Sequence, residues 1–153
     1  MRGLGRGREL NPISGLVVKI MQEALAKFVG GSTQVEEGNR YPEEGMASVV
    51  LRFVDGSELY AEYWRLIRDG RAHLSSFDHR QQYGLPAPIN AVKELRDALQ
   101  NKIVISAALE EESGDLVFLF SSNIKLQIFN FTGYEMWHIR FSSGAEEYSN
   151  FNR

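Results

Sequence analysis

Ser48–Phe77 reads SVVLRFVDGSELYAEYWRLIRDGRAHLSSF, and this stretch decides the fold. Apolar and polar residues alternate through it with a period of two, the signature of half-buried strands. A strand is predicted over 48–53. Val54-Asp55-Gly56-Ser57 supplies an Asp-Gly turn, and Glu58–Ile67 is the partner strand. Asp69-Gly70 makes a second turn, and Arg71–Phe77 returns as a third strand. The result is an antiparallel meander.

Upstream the period changes. Leu10, Ile13, Leu16, Val17, Ile20, Met21, Ala24, Leu25, Phe28 and Val29 recur at spacings of three and four, which is one face of a helix. The helix is predicted over 12–29, capped by Asn11, opened by Pro12 and stopped at Gly30-Gly31. Residues 30–46 read as a polar loop with a short edge strand near Thr33–Val35. Residues 1–9 hold three Gly and three Arg and read as a flexible tail.

Downstream, 78–88 (DHRQQYGLPAP) is a loop. A second helix follows over 88–100, burying Ile89, Val92, Leu95 and Leu99 and turning Lys93, Glu94, Arg96 and Asp97 to water. Strands are predicted at 102–109, 115–121, 124–131 and 134–141, and a short tail follows Gly144. The order is α-βββ-α-ββββ. Neither helix can bury its stripe alone, so the expected fold is one α+β domain over 10–153. Two helices lie on one face of a curled antiparallel sheet of six to eight strands. A cystatin-like or barrel closure is the alternative.

The two halves, about 12–77 and 88–148, look related. Leu51-Arg-Phe53 precedes Leu59 as Phe118-Leu-Phe120 precedes Leu126. Glu62-Tyr-Trp64 matches Glu135-Met-Trp137, with Leu66 and Ile139 two residues on. An internal duplication is expected, with extra residues before Glu135 in the second half. Convergent strand patterning is the plainer explanation.

Composition sets limits on function. The chain has 153 residues and a net charge of −3, which gives no global field for nucleic acid. Basic residues are not interleaved with aromatics, so no nucleic-acid partner is expected. There is no cysteine, which excludes disulfides, thiolate metal sites and a cysteine nucleophile. No apolar run approaches a membrane span, and no signal peptide is recognisable, so a cytoplasmic protein is expected. Acidic residues gather at Glu36, Glu37, Glu43 and Glu44, and again at Glu110, Glu111, Glu112 and Asp115. Such stretches are commonly solvated loops; the functional alternative is a docking surface for a basic partner.

The candidate site residues are Glu62, Trp64, Asp78, His79, Arg80, Tyr83, Glu135, Trp137 and His138. A strand period of two places Glu62 beside Trp64 and Leu66, and Glu135 beside Trp137, Ile139 and Phe141, on largely apolar faces. A carboxylate there can have its pKa raised and serve as a general acid. The commoner outcome is a carboxylate at a strand end reaching water. The loop Asp78–Pro88 combines Asp78, His79, Arg80 and Tyr83 with a Gly-Leu-Pro-Ala-Pro run. It is either a binding loop or a rigid connection into the second helix. His73, His79 and His138 show no metal-ligand spacing, so neither metal nor cofactor is expected. Phe129, Phe131 and Tyr134 cluster near one sheet edge, as core or as an interface patch.

The run from Trp64 through Asp78-His79 to Gly84-Leu-Pro-Ala-Pro88 is similar to that of small uncharacterised bacterial proteins. So is the run Gly114–Phe120, Leu126-Gln-Ile-Phe129 and Tyr134-Glu-Met-Trp137. Some of these proteins are thought to be immunity-type partners of secreted toxins. The resemblance covers about 48–141 and implies no catalytic residue. The expected function is a non-enzymatic binding protein with a protein partner. The alternatives are a small-ligand or hydrolytic pocket using Glu62 and Glu135 near Trp64 and Trp137, and a homodimer formed along an exposed sheet edge.

Overall fold

The computed structural model describes residues 12–38, 47–132 and 135–149. The expected tail at 1–9, Leu10, the Asn11 cap, Glu43, Glu44 and Tyr134 lie outside the described residues. The fold is α+β. Helix α1 spans Pro12–Ala26, and strands β1 (Thr33–Glu37), β2 (Val49–Phe53), β3 (Glu58–Ala61), β4 (Trp64–Arg68) and β5 (Arg71–Ser75) follow. Helix α2 spans Ala91–Leu99, followed by β6 (Val104–Leu109), β7 (Leu116–Phe120), β8 (Ile124–Ile128), β9 (Trp137–Arg140) and β10 (Glu146–Tyr148).

The strands form two five-stranded antiparallel sheets, not one. The first runs β1-β2-β3-β9-β10 and the second β5-β4-β8-β7-β6. The cause lies at Glu62-Tyr63. The expected strand 58–67 is interrupted there, with Leu59 and Ala61 buried in the first sheet and Trp64 and Leu66 buried in the second. Inward positions change from odd to even, so the chain has turned over between them. The segment between Ile128 and Trp137 crosses back beside it. Glu62 N donates to Met136 O at 3.2 Å and Phe129 N to Tyr63 O at 2.9 Å, so the two crossings are hydrogen-bonded together. The residues over 146–148, expected to be tail, pair with β9 as an edge strand.

One core lies between the sheets. Leu51, Leu59, Leu66, Leu116, Leu126 and Ile139 are fully buried, each contributing roughly 1.5–3 kcal/mol on burial. Phe28 stacks on Phe53 with ring centroids 3.9 Å apart, and Phe53 packs on Phe118 at 5.8 Å.

The helices do not share one sheet face. α1 packs against β6, an edge of the second sheet, and α2 against β1, an edge of the first. Each helix also satisfies edge backbone. Gln22 of α1 donates to Leu109 O at 2.7 Å and accepts from Leu109 N at 2.9 Å. Arg96 of α2 is exposed, as expected, and its Nε also donates to Val35 O at 2.9 Å. Both edges are thereby blunted against strand pairing. The helix ends at Ala26 and not at 29, and the apolar face expected over 12–29 is narrower than its sequence suggests: Val18, Met21, Leu25 and, past the helix end, Phe28 are buried, whereas Leu16, Ile20 and Val29 are exposed.

Candidate functional site

Alternation along the first sheet sends Val49, Leu51, Leu59, Trp137 and Ile139 inward and leaves a second set on the outer face. Register aligns Val50, Tyr60, His138 and Tyr148 across four strands. The adjacent row aligns Arg52, Glu58, Arg140 and Glu146. Over these rows lies a cleft of about 460 Å³, lined by Tyr60, Glu58, His138, Arg140, Tyr148 and Glu135, among others.

The charged row is largely self-paired. Arg52 Nε meets Glu36 Oε2 at 2.9 Å and Arg52 Nη1 meets Glu58 Oε1 at 2.6 Å. Arg140 Nη2 meets Glu58 Oε2 at 3.1 Å. Burial alone would raise the Glu58 carboxyl, but Arg140 and Arg52 outweigh it and hold the group below its ordinary value. Exposed pairs of this kind stabilise by about 0–1 kcal/mol each, so the row orders the surface more than it holds the fold.

The aromatic row is less satisfied. His138 stacks flat on Tyr148, with centroids 4.6 Å apart and planes within 4°. His138 Nε2 is shut off from solvent and takes no hydrogen bond among the described residues. Glu146 Oε1 stands 3.7 Å away, beyond hydrogen-bond reach. Glu146 Oε2 accepts from the Tyr148 hydroxyl at 3.2 Å. Burial raises the Tyr148 phenol, and the neighbouring Glu146 and Glu135 raise it further.

The sequence candidates fall in three places. Trp64 and Trp137 are at 0 % exposure in the core. Their indole N–H groups donate to Ala47 O and Gly114 O, each at 2.7 Å. Glu62 and Glu135 do not sit beside the indoles on inward faces: Glu62 lies half-buried at the first crossing, and Glu135 is exposed at the second, lining the cleft. His138 is in the cleft. The cleft thus gathers Glu135 and His138, with Trp137 also in its lining, and leaves Trp64 in the core.

The loop forms a separate, self-bonded unit. Asp78 closes a capping box with Ser75, accepting from Ser75 N at 2.8 Å, and also accepts from the Tyr83 hydroxyl at 3.0 Å. Arg80 N donates to Ile89 O and Ile89 N to Gln81 O, both at 2.8 Å. His79 Nδ1 accepts from Ala91 N at 3.1 Å, at the first turn of α2. Burial lowers the His79 pKa, the Arg80 charge lowers it further, and Glu37 only partly opposes them. A neutral imidazole is what this bond requires. Asp78, His79 and Tyr83 therefore have structural work in shaping the connection, while the Arg80 side chain is exposed.

A second surface feature lies at the crossings. Tyr63 stacks on Phe77 at 5.4 Å and meets Phe131 at 5.3 Å, and Phe131 stacks on Phe129 at 5.3 Å. Phe77 and Phe131 are more than half exposed. Arg65 lies over Phe129, its guanidinium carbon 5.2 Å from the ring centroid. Asn130, between the two phenylalanines, donates to Asp115 Oδ1 at 2.7 Å through its backbone and to Ser113 O at 3.0 Å through its side chain. The aromatic cluster is thus tied to the exposed turn that carries Glu110, Glu111 and Glu112.

Sequence reasoning missed Tyr60, Glu58, Arg140, Glu146 and Tyr148 as site residues. The usable signal was the alternation itself, which assigns Glu58 and Tyr60 to the face opposite Leu59 and Ala61. Among the described residues no group of three or more His, Asp or Glu side chains is placed to hold a metal ion. No helix there is long and apolar enough to cross a membrane. Comparisons with protein-family models, curated proteins and solved structures find no match to this chain.

Proposed function

We propose that this chain is a non-enzymatic binding protein whose partner is a basic protein, acting in the cytoplasm of a bacterium. An immunity-type inhibitor that covers the basic active site of a nuclease-type toxin is the concrete form of this reading. The observation that carries it is the exposed aromatic cluster Tyr63–Phe77–Phe129–Phe131 beside the acidic turn at 110–112. Stacked aromatics left in water are typical anchors of protein interfaces. Carboxylates beside them favour a partner of opposite charge and speed its approach. The hydrolytic alternative has less support, since Trp64 and Trp137 are buried and Glu62 and Glu135 do not flank them on an inward face.

The test is capture on immobilised protein from cells that make it, over a series of salt concentrations. The expected result is one salt-sensitive basic protein, retained by the wild type and lost by Phe131→Ser combined with Phe77→Ser. A partner held equally by that double variant, or the absence of any salt-sensitive partner, would sink the proposal.

The chain is also read as an internal duplication. Support comes from the matched strand orders β1-β2-β3-β9-β10 and β6-β7-β8-β4-β5, in which each half gives three strands to one sheet and two to the other. The two indole bonds correspond. So do Ser76 and Ser149, whose Oγ atoms accept from Trp64 N at 3.2 Å and Trp137 N at 3.4 Å. An experimental structure in which β1–β5 failed to superpose on β6–β10 would remove this reading.

A further inference from the structure

We propose that the outer face of the second sheet pairs with the same face of a second copy of this chain, forming a two-fold dimer, sheet on sheet. The inference goes beyond the reading of a basic partner and does not need it. Both use the aromatic cluster, so a captured partner displaces the second copy.

None of the five strands of this sheet contains an Asp or Glu. Alternation turns Ile67, Val117 and Leu119 outward, opposite the buried Leu66, Phe118 and Leu126. Ile105, the extra residue of a bulge in β6 beside Leu119, is exposed as well. Contiguous apolar surface of this kind marks an interaction site.

Register fixes what stands at the four corners of the face. Tyr63 and Phe77 lie where β4 begins and β5 ends, with Phe129 and Phe131 against them. The turn at the other end of β4 and β5 carries Arg68 and Arg71, which are paired. Leu109 pairs with Leu116, Leu116 with Ile128 and Ile128 with Trp64, so the β6–β7 turn with Glu110, Glu111 and Glu112 lies at the aromatic end, on the far side. The start of β6 brings exposed Ile103 and Ile105 to the remaining corner, beside Leu119. Acidic and basic corners therefore oppose each other across one diagonal, aromatic and aliphatic corners across the other.

A dyad along the second diagonal lays aromatic on aromatic and aliphatic on aliphatic. It also brings the acidic corner of each copy onto the basic corner of the other, twice. The strands of the two copies then cross near right angles, one of the two ways in which sheets stack. Arg68, Arg71 and Glu110–Glu112 have no ion pair among the described residues, so all are available for that contact. Arg65 is bonded to Gln127 and lies over Phe129, and needs no counter-charge from the second copy. Lys125 lies beside the diagonal, not on it, so its two copies do not meet. Five strands about 4.8 Å apart and about seven residues long give a footprint of roughly 550 Å² per copy, the size of a small specific interface.

Sedimentation equilibrium of the full chain tests this by a charge swap. The wild type should form a reversible dimer. Arg68→Glu/Arg71→Glu and Glu110→Lys/Glu111→Lys/Glu112→Lys, shown to be folded by unchanged circular dichroism, should each raise the dissociation constant about tenfold or more, since each sets like charges at both contacts. Mixed in equal amounts, the two variants restore opposite charges at both contacts and should associate about as tightly as wild type. Dilution of the wild type, followed by amide-resolved NMR, needs no variant and should shift the amides of 105, 117, 119 and 131. A wild type that stays monomeric up to about 1 mM, a mixture no tighter than its separate variants, or dilution shifts confined to the first sheet overturns the proposal. If the chain dimerises as described and no basic partner is captured, the partner reading fails alone. If a partner is captured and the free chain is monomeric, the dimer fails alone.

Discussion

Replacing either tryptophan by phenylalanine tests the buried frame most directly. Trp64→Phe removes the donor to Ala47 O, and Trp137→Phe removes the donor to Gly114 O. Both acceptor residues are buried, so water cannot take the lost partner's place. An unsatisfied buried carbonyl costs about 1–3 kcal/mol. The smaller ring leaves a void, adding about 1 kcal/mol if the core relaxes only partly. Each variant should therefore lose about 2–4 kcal/mol, which for a chain of this size lowers Tm by about 5–15 °C. Urea unfolding followed by far-ultraviolet circular dichroism measures the loss, and the slope should stay unchanged if only the native state is affected. Each variant keeps one tryptophan, whose fluorescence reports its own surroundings. Losses under about 1 kcal/mol in both variants would mean that the indole bonds do not hold the crossings. Ready quenching of either indole by acrylamide would contradict its burial.

Ser149→Ala removes the acceptor of Met136 N at 2.6 Å and should cost about 1–2 kcal/mol in the same assay, whereas exposed Ser142→Ala should stay within about 0.5 kcal/mol. Gly38→Ala should destabilise, because a Cβ there would stand 2.9 Å from the Ser48 carbonyl carbon; Gly114→Ala should too, with φ +78 and Asn130 Nδ2 at 2.6 Å. Unchanged melting of both would refute the close approaches. His79 supplies the pH dependence. Its folded pKa is lowered, so below the unfolded value of about 6.5 the unfolded chain binds the proton first. The His79 contribution is fully present above that value and falls as pH drops toward the folded pKa. His79→Ala should flatten this part of the urea-midpoint profile, and an identical slope in the variant would assign it elsewhere.

Much of the local structure was legible because it depends on neighbours in sequence. Asp55-Gly56 and Asp69-Gly70 make their turns, with Gly56 and Gly70 at positive φ. The division into two sheets was written less plainly. Leu59 and Ala61 share one parity with Val49 and Leu51, while Trp64 and Leu66 take the other. A strand that stays in one sheet cannot change parity without a bulge or a break. The continuous strand expected over 58–67 overlooked that change, and the error carried into the site by putting Glu62 on the inward face with Trp64. The edge strand over 146–148 was missed for a different reason. Three residues give no readable period, and their strand state comes from pairing with β9, a tertiary effect. The cleft depended on both errors, since it needs β9 between β3 and β10.

The two outer faces differ in how their polar groups are answered. Tyr60, His138 and Tyr148 are aligned across β3, β9 and β10. In the second sheet Gln127, Arg65 and Ser75 are aligned across β8, β4 and β5. There the cation is answered within the sheet: Arg65 Nε and Nη2 donate to Gln127 Oε1 at 2.8 and 2.6 Å, and the guanidinium lies over Phe129. The central polar group of that face is therefore internally satisfied. The other face leaves a buried imidazole nitrogen without a hydrogen bond among the described residues, beside a carboxylate. The His138 ring is instead packed flat against Tyr148, so on this face an aromatic contact stands where the other has a hydrogen-bonded pair.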